Sequence, residues 1–180
     1  MQHMPHFIYG DLYYPNSFCM QEEIYHLRID TPVGPLQISG TGRFINAVSF
    51  TDEPAADFPP APALLLECAR QLHEYFGGTR KVFELPLFQE GTGFQQSVWQ
   101  QLLAIPFGQT ISYQQLAHRI NNPRSIRAVG TTNGKNRLAI IVPCHRVIGS
   151  NGTLTGYAGG LWRKRWLLEH ERTDLFTGLI

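Results

Sequence analysis

The sequence predicts an α/β (α+β) chain in two parts: a small N-terminal antiparallel sheet with one helix, over residues 1–90, and a mainly helical part over residues 91–180. Three observations predict it. Short alternating apolar stretches set off by glycine and proline fill the first half, helical spacing of apolar residues takes over after Gly91, and the charge changes sign between the halves. Residues 1–90 carry 5 Lys/Arg against 11 Asp/Glu, whereas residues 91–180 carry 10 against 3. A basic second half points to an anionic partner, most simply nucleic acid.

Residues 1–20 mix histidine, proline and aromatic residues without a period and read as an irregular extension. His3, His6 and Cys19 match no zinc-ligand spacing, and no metal is expected. Glu22 to Asp30 alternates, with Tyr25, Leu27 and Ile29 on one face, as in a half-buried strand. Thr31-Pro32-Val33-Gly34-Pro35 breaks it. Leu36 to Ser39 and Ile45 to Phe50 supply two more strands, joined through Gly40 and Gly42 into an antiparallel meander. Thr51 to Pro62, acidic and proline-rich, is a loop. From Ala63 to Phe76, Leu65, Ala69, Leu72 and Phe76 keep helical spacing, and Gly77-Gly78 ends the helix. Cys68 on that helix reads as a core residue. Lys81 to Leu87 is a further extended segment, and Gln89-Glu90-Gly91 marks the boundary.

The second half opens on a capping box, Thr92-Gly93-Phe94-Gln95, with Phe94, Val98, Leu102 and Ile105 along one helix face. A second box, Ser112-Tyr113-Gln114-Gln115, opens a short helix whose apolar residues are Leu116, Ala117 and Ile120. Asn122-Pro123 predicts a cap and a first-position proline for a third helix, running through Arg127 towards Thr132. Two short helices joined by a tight turn form a helix-turn-helix, and the half is winged-helix-like. Ile126-Arg127-Ala128-Val129-Gly130-Thr131-Thr132 sets one long cation among small side chains. Such a helix could lie close against a nucleic-acid groove, with Arg127 entering the stack as wedge residues do.

The three cysteines, Cys19, Cys68 and Cys144, show no CxxC spacing, which argues against a disulfide framework or zinc module and suits a reducing compartment. With no leader pattern and no apolar run of about 20 residues, a soluble, cytoplasmic protein away from membranes is expected. The reactive centre is placed at Ala139 to Val147. Ile140 to Val142 reads as a buried strand, Pro143 ends regular pairing, and Cys144 then emerges beside His145 and Arg146. Cationic neighbours lower a thiol pKa and raise the thiolate fraction, so an ionised, reachable thiol is expected. His145 cannot easily fold back onto its neighbour's sulfur, so as a base it would work through a water. Ser150 to Gly160, rich in glycine, is read as a pocket wall that admits a flat ligand. In the last helix, Leu161 to Glu171, the carboxylate shares a face with Leu167 and Leu168. A buried carboxylate needs a partner, and His145 is the one expected, oriented as in other triads.

Pro143-Cys144-His145-Arg146-Val147, together with Ser112-Tyr113-Gln114-Gln115-Leu116-Ala117, Arg127-Ala128-Val129-Gly130, Gly156-Tyr157-Ala158-Gly159-Gly160 and Trp166-Leu167-Leu168-Glu169-His170-Glu171, resembles the O6-alkylguanine-DNA alkyltransferases. The detailed match runs from about Thr92 to Glu171, and the first half is similar to that family's small N-terminal domain in size and coarse pattern. The resemblance implies direct DNA repair. Duplex DNA is bound, an alkylated guanine is flipped out, and the alkyl group passes irreversibly to a cysteine that is consumed; whether O4-alkylated thymine is also accepted is left open by the sequence. It implies Cys144 as acceptor, His145 as water-mediated base, Glu171 as its orienter and Asn136 as a hinge. Tyr113 would press on the phosphate and help protonate the departing guanine, and Arg127 would fill the vacated stack. Gln114, Asn122 and Ser150, with Ala128 and Gly130 of the recognition helix, would contact DNA. Val142, Pro143, Tyr157, Ala158 and Gly159 would shape the pocket. The partner implied is double-stranded DNA containing O6-alkylguanine, met by a monomer without a cofactor, at the nucleoid.

The chemistry fits the residues read alone, since a soft thiolate suits displacement at saturated carbon. From about 8.5, a lowered thiol pKa raises the thiolate fraction near neutrality only about 30-fold. Alignment of carbon and sulfur and stabilisation of the leaving base must supply most of the acceleration. The sequence departs from the family in two places. Ala158 stands where some members have a serine, and Thr41 and Asn46 stand where zinc-binding members have a cysteine and a histidine. Two alternatives are a non-catalytic sensor of alkylated DNA, which would usually carry tryptophan at position 144, and a cysteine hydrolase using Cys144, His145 and Glu171.

Overall fold

Alternation in the first half produces a three-stranded antiparallel meander, β1 (Tyr25–Ile29), β2 (Leu36–Gly40) and β3 (Ile45–Phe50), in the computed structural model, which describes residues 22–53 and 58–172. Leu27 pairs with Ile38 and Ile38 with Val48, so one apolar line crosses the sheet. The register shifts between Ser39 and Gly40, where a Cβ on Gly40 would lie 2.4 Å from the Phe44 carbonyl oxygen. Only glycine permits that bulge. Helix α1 (Ala63–Phe76) covers the sheet with Leu65, Cys68, Ala69, Leu72 and Tyr75. Tyr75, not the expected Phe76, takes the last core position. Lys81 to Leu87 is held to the sheet by one parallel bridge, Leu87 to Ile45.

The chain divides into two units, residues 1–89 and 90–180. The second unit starts with α2 (Gly93–Leu103), whose capping box is present: Gln95 N donates to Thr92 Oγ1 (3.3 Å) and Thr92 N to Gln95 Oε1 (2.8 Å). Strand β4 (Ile111–Ser112) leads into α3 (Tyr113–Arg119), capped by the same reciprocal pair between Ser112 and Gln115. Helix α4 (Ile126–Gly134) follows, then β5 (Val147–Ile148) and α5 (Leu161–His170). Trp99 Nε1 donates to the Thr132 carbonyl (3.2 Å) and ties α2 to α4.

One expectation changes here, and one pairing is new. Asn122-Pro123 does not start a helix, because Ser125 N (3.0 Å) and Ser125 Oγ (2.7 Å) both donate to the Asn122 carbonyl and close a turn. Helix α4 therefore begins at Ile126, after Asn121 has left α3 at φ 55°. The short parallel pairing of β4 with β5 was not foreseen. It places Tyr113, first residue of α3, close in the fold to the segment that carries Cys144.

Candidate active site

Ile140 to Val142 is buried but is not the predicted strand. It is a turn, with Val142 N donating to the Leu138 carbonyl (2.9 Å) and Ile140 at φ 71°. A β-branched residue rarely adopts that conformation, and such strain costs roughly 1–3 kcal/mol. Asn136 organises the turn. Its Oδ1 accepts from Leu138 N (3.0 Å), while its Nδ2 donates to the Val142 carbonyl (2.8 Å) and to Cys144 Sγ (3.1 Å). One side chain thus supplies the hydrogen bonds that a neighbouring strand would otherwise give, and aims a donor at the thiol.

Cys144 opens a short 3-10 turn, Cys144–Arg146, in which all three side chains are buried. His145 Nε2 lies 2.8 Å from Glu171 Oε1. Arg146 grips the same carboxylate with two donors, Nε to Oε2 (2.8 Å) and Nη2 to Oε1 (2.9 Å), and its Nη1 donates to the Ile105 carbonyl (2.6 Å). Gly108 N adds a donor to Oε2 (3.2 Å). Burial alone would raise the Glu171 pKa, but the hydrogen bonds from His145 and Arg146 outweigh it and hold the carboxyl well below the usual range. Burial lowers the His145 pKa against the pull of Glu171, so the imidazole is neutral. With Nε2 donating to the carboxylate, Nδ1 is the acceptor, and it is buried without a hydrogen-bond partner among the described residues.

The thiol itself corrects the electrostatic expectation. His145 turns onto Glu171 as expected, but Arg146 joins it there rather than facing the sulfur, and Cys144 is only 6% exposed. Burial pushes its pKa up, opposed by the Asn136 hydrogen bond, by the charge of Lys164 and by nearby backbone groups. The resting sulfur is a protonated thiol within reach of groups that favour its ionised form. Lys164 is the residue that sequence reasoning missed. It is fully buried, with Nζ donating to the carbonyls of Val147 (2.7 Å) and Thr155 (2.9 Å). Burial lowers its pKa to about 8, and the negative charge that Cys144 carries when ionised opposes the shift. The signal was available, since Lys164 shares a helix face with Leu167, Leu168 and Glu171.

A cavity of about 490 Å³ lies between the helix-turn-helix and the glycine-rich loop, lined by Tyr113, Ile126 and Gly130 on one side and by Thr155, Tyr157 and Ala158 on the other. Tyr157 has its hydroxyl pKa raised well above the ordinary value, by burial first and by Cys144 next, which puts it in electrostatic range of the sulfur. Val142, Pro143 and Gly159 are buried and do not line the cavity, whereas Ala158 is exposed. Gln114, Asn122, Arg127, Ala128 and Ser150 are exposed, Tyr113 and Gly130 half-buried. Among the described residues no cluster of His, Cys, Asp or Glu gathers as metal ligands, and no helix is long and apolar enough to cross a membrane. His3, His6 and Cys19 lie outside the described residues.

Comparison with known proteins fixes the class. Residues 93–173 match the family described as 6-O-methylguanine DNA methyltransferase, DNA binding domain, and residues 24–89 match its ribonuclease-like domain. A DNA-repair methyltransferase with a DNA-binding domain is therefore the kind of protein that this fold and site build. The methylated-DNA–protein-cysteine methyltransferase of Mycobacterium bovis is 46% identical over 154 residues, covering 83% of this chain and 93% of its own. That of Methanosarcina barkeri is 44% identical over 157 residues, covering 84% and 99%. A crystal structure of Mycobacterium tuberculosis OGT in complex with DNA superposes with a TM-score of 0.76 at 45% identity, covering 82% of this chain and 92% of that one. The chain belongs to the 6-O-methylguanine DNA methyltransferase family.

Proposed function

We propose that the chain repairs O6-alkylated guanine in duplex DNA by moving the alkyl group to Sγ of Cys144, once per molecule. The observation that carries this is the setting of one buried thiol. Asn136 Nδ2 stands 3.1 Å from it, the His145–Glu171 pair is its neighbour, and the cavity in electrostatic range opens beside the helix-turn-helix. DNA lies across the exposed face of α3 and α4, where Gln114, Asn122 and Ala128 contact it and Arg127 fills the gap left by the flipped base. Ser150 meets the same strand. Flipping costs a few kcal/mol, less for a poorly paired lesion.

In the transfer step the thiol proton leaves through a water to His145 Nδ1, and the carboxylate of Glu171 steadies the imidazolium that forms. Sulfur then attacks the alkyl carbon from behind. The C–S bond forms, the C–O bond breaks, its electron pair goes to O6 of guanine, Tyr113 gives a proton to the departing base, and the imidazolium returns its proton through solvent to the tyrosine. The net exchange places the alkyl group on sulfur and the proton on guanine. The Asn136 hydrogen bond and the Lys164 charge favour the thiolate at the moment it is needed, inside a site where such terms are strong. O4-alkylated thymine is a second substrate on the same chemistry. Nothing in the site would cleave a thioether, so the protein is spent as it acts. It works as a monomer in the cytoplasm, on the DNA of the nucleoid.

Turnover tests this. With duplex DNA carrying labelled O6-methylguanine in excess, label bound to protein should rise to one methyl group per chain and stop. Continued release of methanol or another small product would establish a hydrolase instead, and no uptake would leave a sensor.

A further inference from the structure

The repair site leaves the outer face of α5 unexplained. Trp162 is 56% exposed there, beside the exposed Leu161 and Arg165. Its indole is held in place. The Arg163 guanidinium lies 4.6 Å from the ring centroid and also donates to the Gly159 carbonyl (3.0 Å). Gly160, just before the helix at φ +84°, holds the left-handed backbone conformation that favours glycine, with Trp162 Cδ1 in ordinary contact range of that position. Four and eight residues on, Trp166 and His170 stack with centroids 4.8 Å apart and planes at 17°. Residues spaced by four share a helix face, so Trp162, Trp166 and His170 form an aromatic stripe with Arg163 and Arg165 alongside.

A rigid, solvent-facing indole flanked by arginines is the arrangement that stacks unpaired bases, because every base offers a π-face and the cations track the phosphates. Its place in the fold supports that. Ala158, which lines the cavity, is followed at once by Gly159, the residue that Arg163 holds. We infer that the Trp162–Arg163–Arg165 face of α5 is a second DNA contact, a stacking platform for an unpaired nucleotide next to the one in the cavity. The inference rests on the DNA-binding reading above and adds a surface outside the helix-turn-helix.

Trp162 reports on its own occupancy, because a base stacked on the indole quenches its emission. Titrating the full chain with a short oligothymidylate at low salt should quench the emission of the wild type. Trp162→Ala should bind about tenfold more weakly, with Trp162→Phe between the two. The same loss should appear in fluorescence anisotropy of a labelled oligonucleotide, which does not depend on tryptophan emission. If Trp162→Ala binds within about twofold of the wild type, or if it loses self-association in sedimentation instead of DNA affinity, the platform is refuted. Methyl uptake by the wild type from duplex DNA is scored separately. A chain that takes up the methyl group but fails the titration loses the platform alone, and one that passes the titration without methyl uptake loses the repair reading alone.

Discussion

Cys68 and Cys144 are both buried free thiols, one in each unit, and their surroundings differ in kind. Cys68 sits on α1 among Leu65, Ala69 and Leu72, where burial pushes its pKa to about 12 and the carboxylate of Glu67 adds to the shift. Around Cys144 burial acts in the same direction, but Asn136 Nδ2, the Lys164 ammonium and backbone groups act against it. Burial alone makes a thiol inert. A buried thiol becomes usable when donors and a cation are fixed beside it before the substrate arrives.

The sharpest way to break the comparison is to delete each sulfur. Cys144→Ala should abolish methyl uptake from alkylated duplex DNA, whereas Cys68→Ala should retain it, both read as label bound per folded chain. Next in size is Glu171→Gln, which leaves the buried Arg146 without a charge partner and should cost about 3–5 kcal/mol in urea unfolding. Glu67→Gln, at an exposed pair with Arg70, should move the midpoint far less. Lys164→Met removes the cation near Cys144, and the pH at which Cys144 reacts with iodoacetamide should rise by about one unit while that of Cys68 stays put.

Stability against pH follows from the same shifts. A raised thiol pKa in the fold gives stability that is complete below the unfolded thiol value of about 8.5 and lost as pH rises above it. A lowered histidine pKa gives stability present above about 6.5 and lost as pH falls, as burial of neutral His145 requires. Unfolding free energy should therefore peak between these limits, and Cys68→Ala should flatten the alkaline side. The smallest effects belong to the caps. Thr92→Ala and Ser112→Ala should each cost about 1 kcal/mol by denaturant titration.

Most of the fold could be read from the chain. Helical spacing through Leu65, Ala69 and Leu72, with Gly77-Gly78 as the stop, places α1 where it is observed, and both capping boxes close as their side chains allow. Glu171 meets His145 because a carboxylate on the Leu167 face of a helix has to find a buried partner. The failures share a cause. An apolar run such as Ile140 to Val142 looks alike in a strand and in a buried turn, and the Asn136 side chain that decides between them is invisible to periodicity. Likewise, Arg146, two residues from Cys144 in sequence, reads as a cation for the thiol until Glu171 shows where its guanidinium points. Lys164 escaped because a lysine is ordinarily read as surface.

Peptide-resolved mass spectrometry of the wild-type chain, after reaction with duplex DNA carrying O6-methylguanine, compares the thiols directly. The Cys144 peptide should gain the mass of one methylene while the Cys68 and Cys19 peptides stay unchanged. A methyl group on either of those cysteines, or an unmodified Cys144 beside demethylated DNA, would contradict the account.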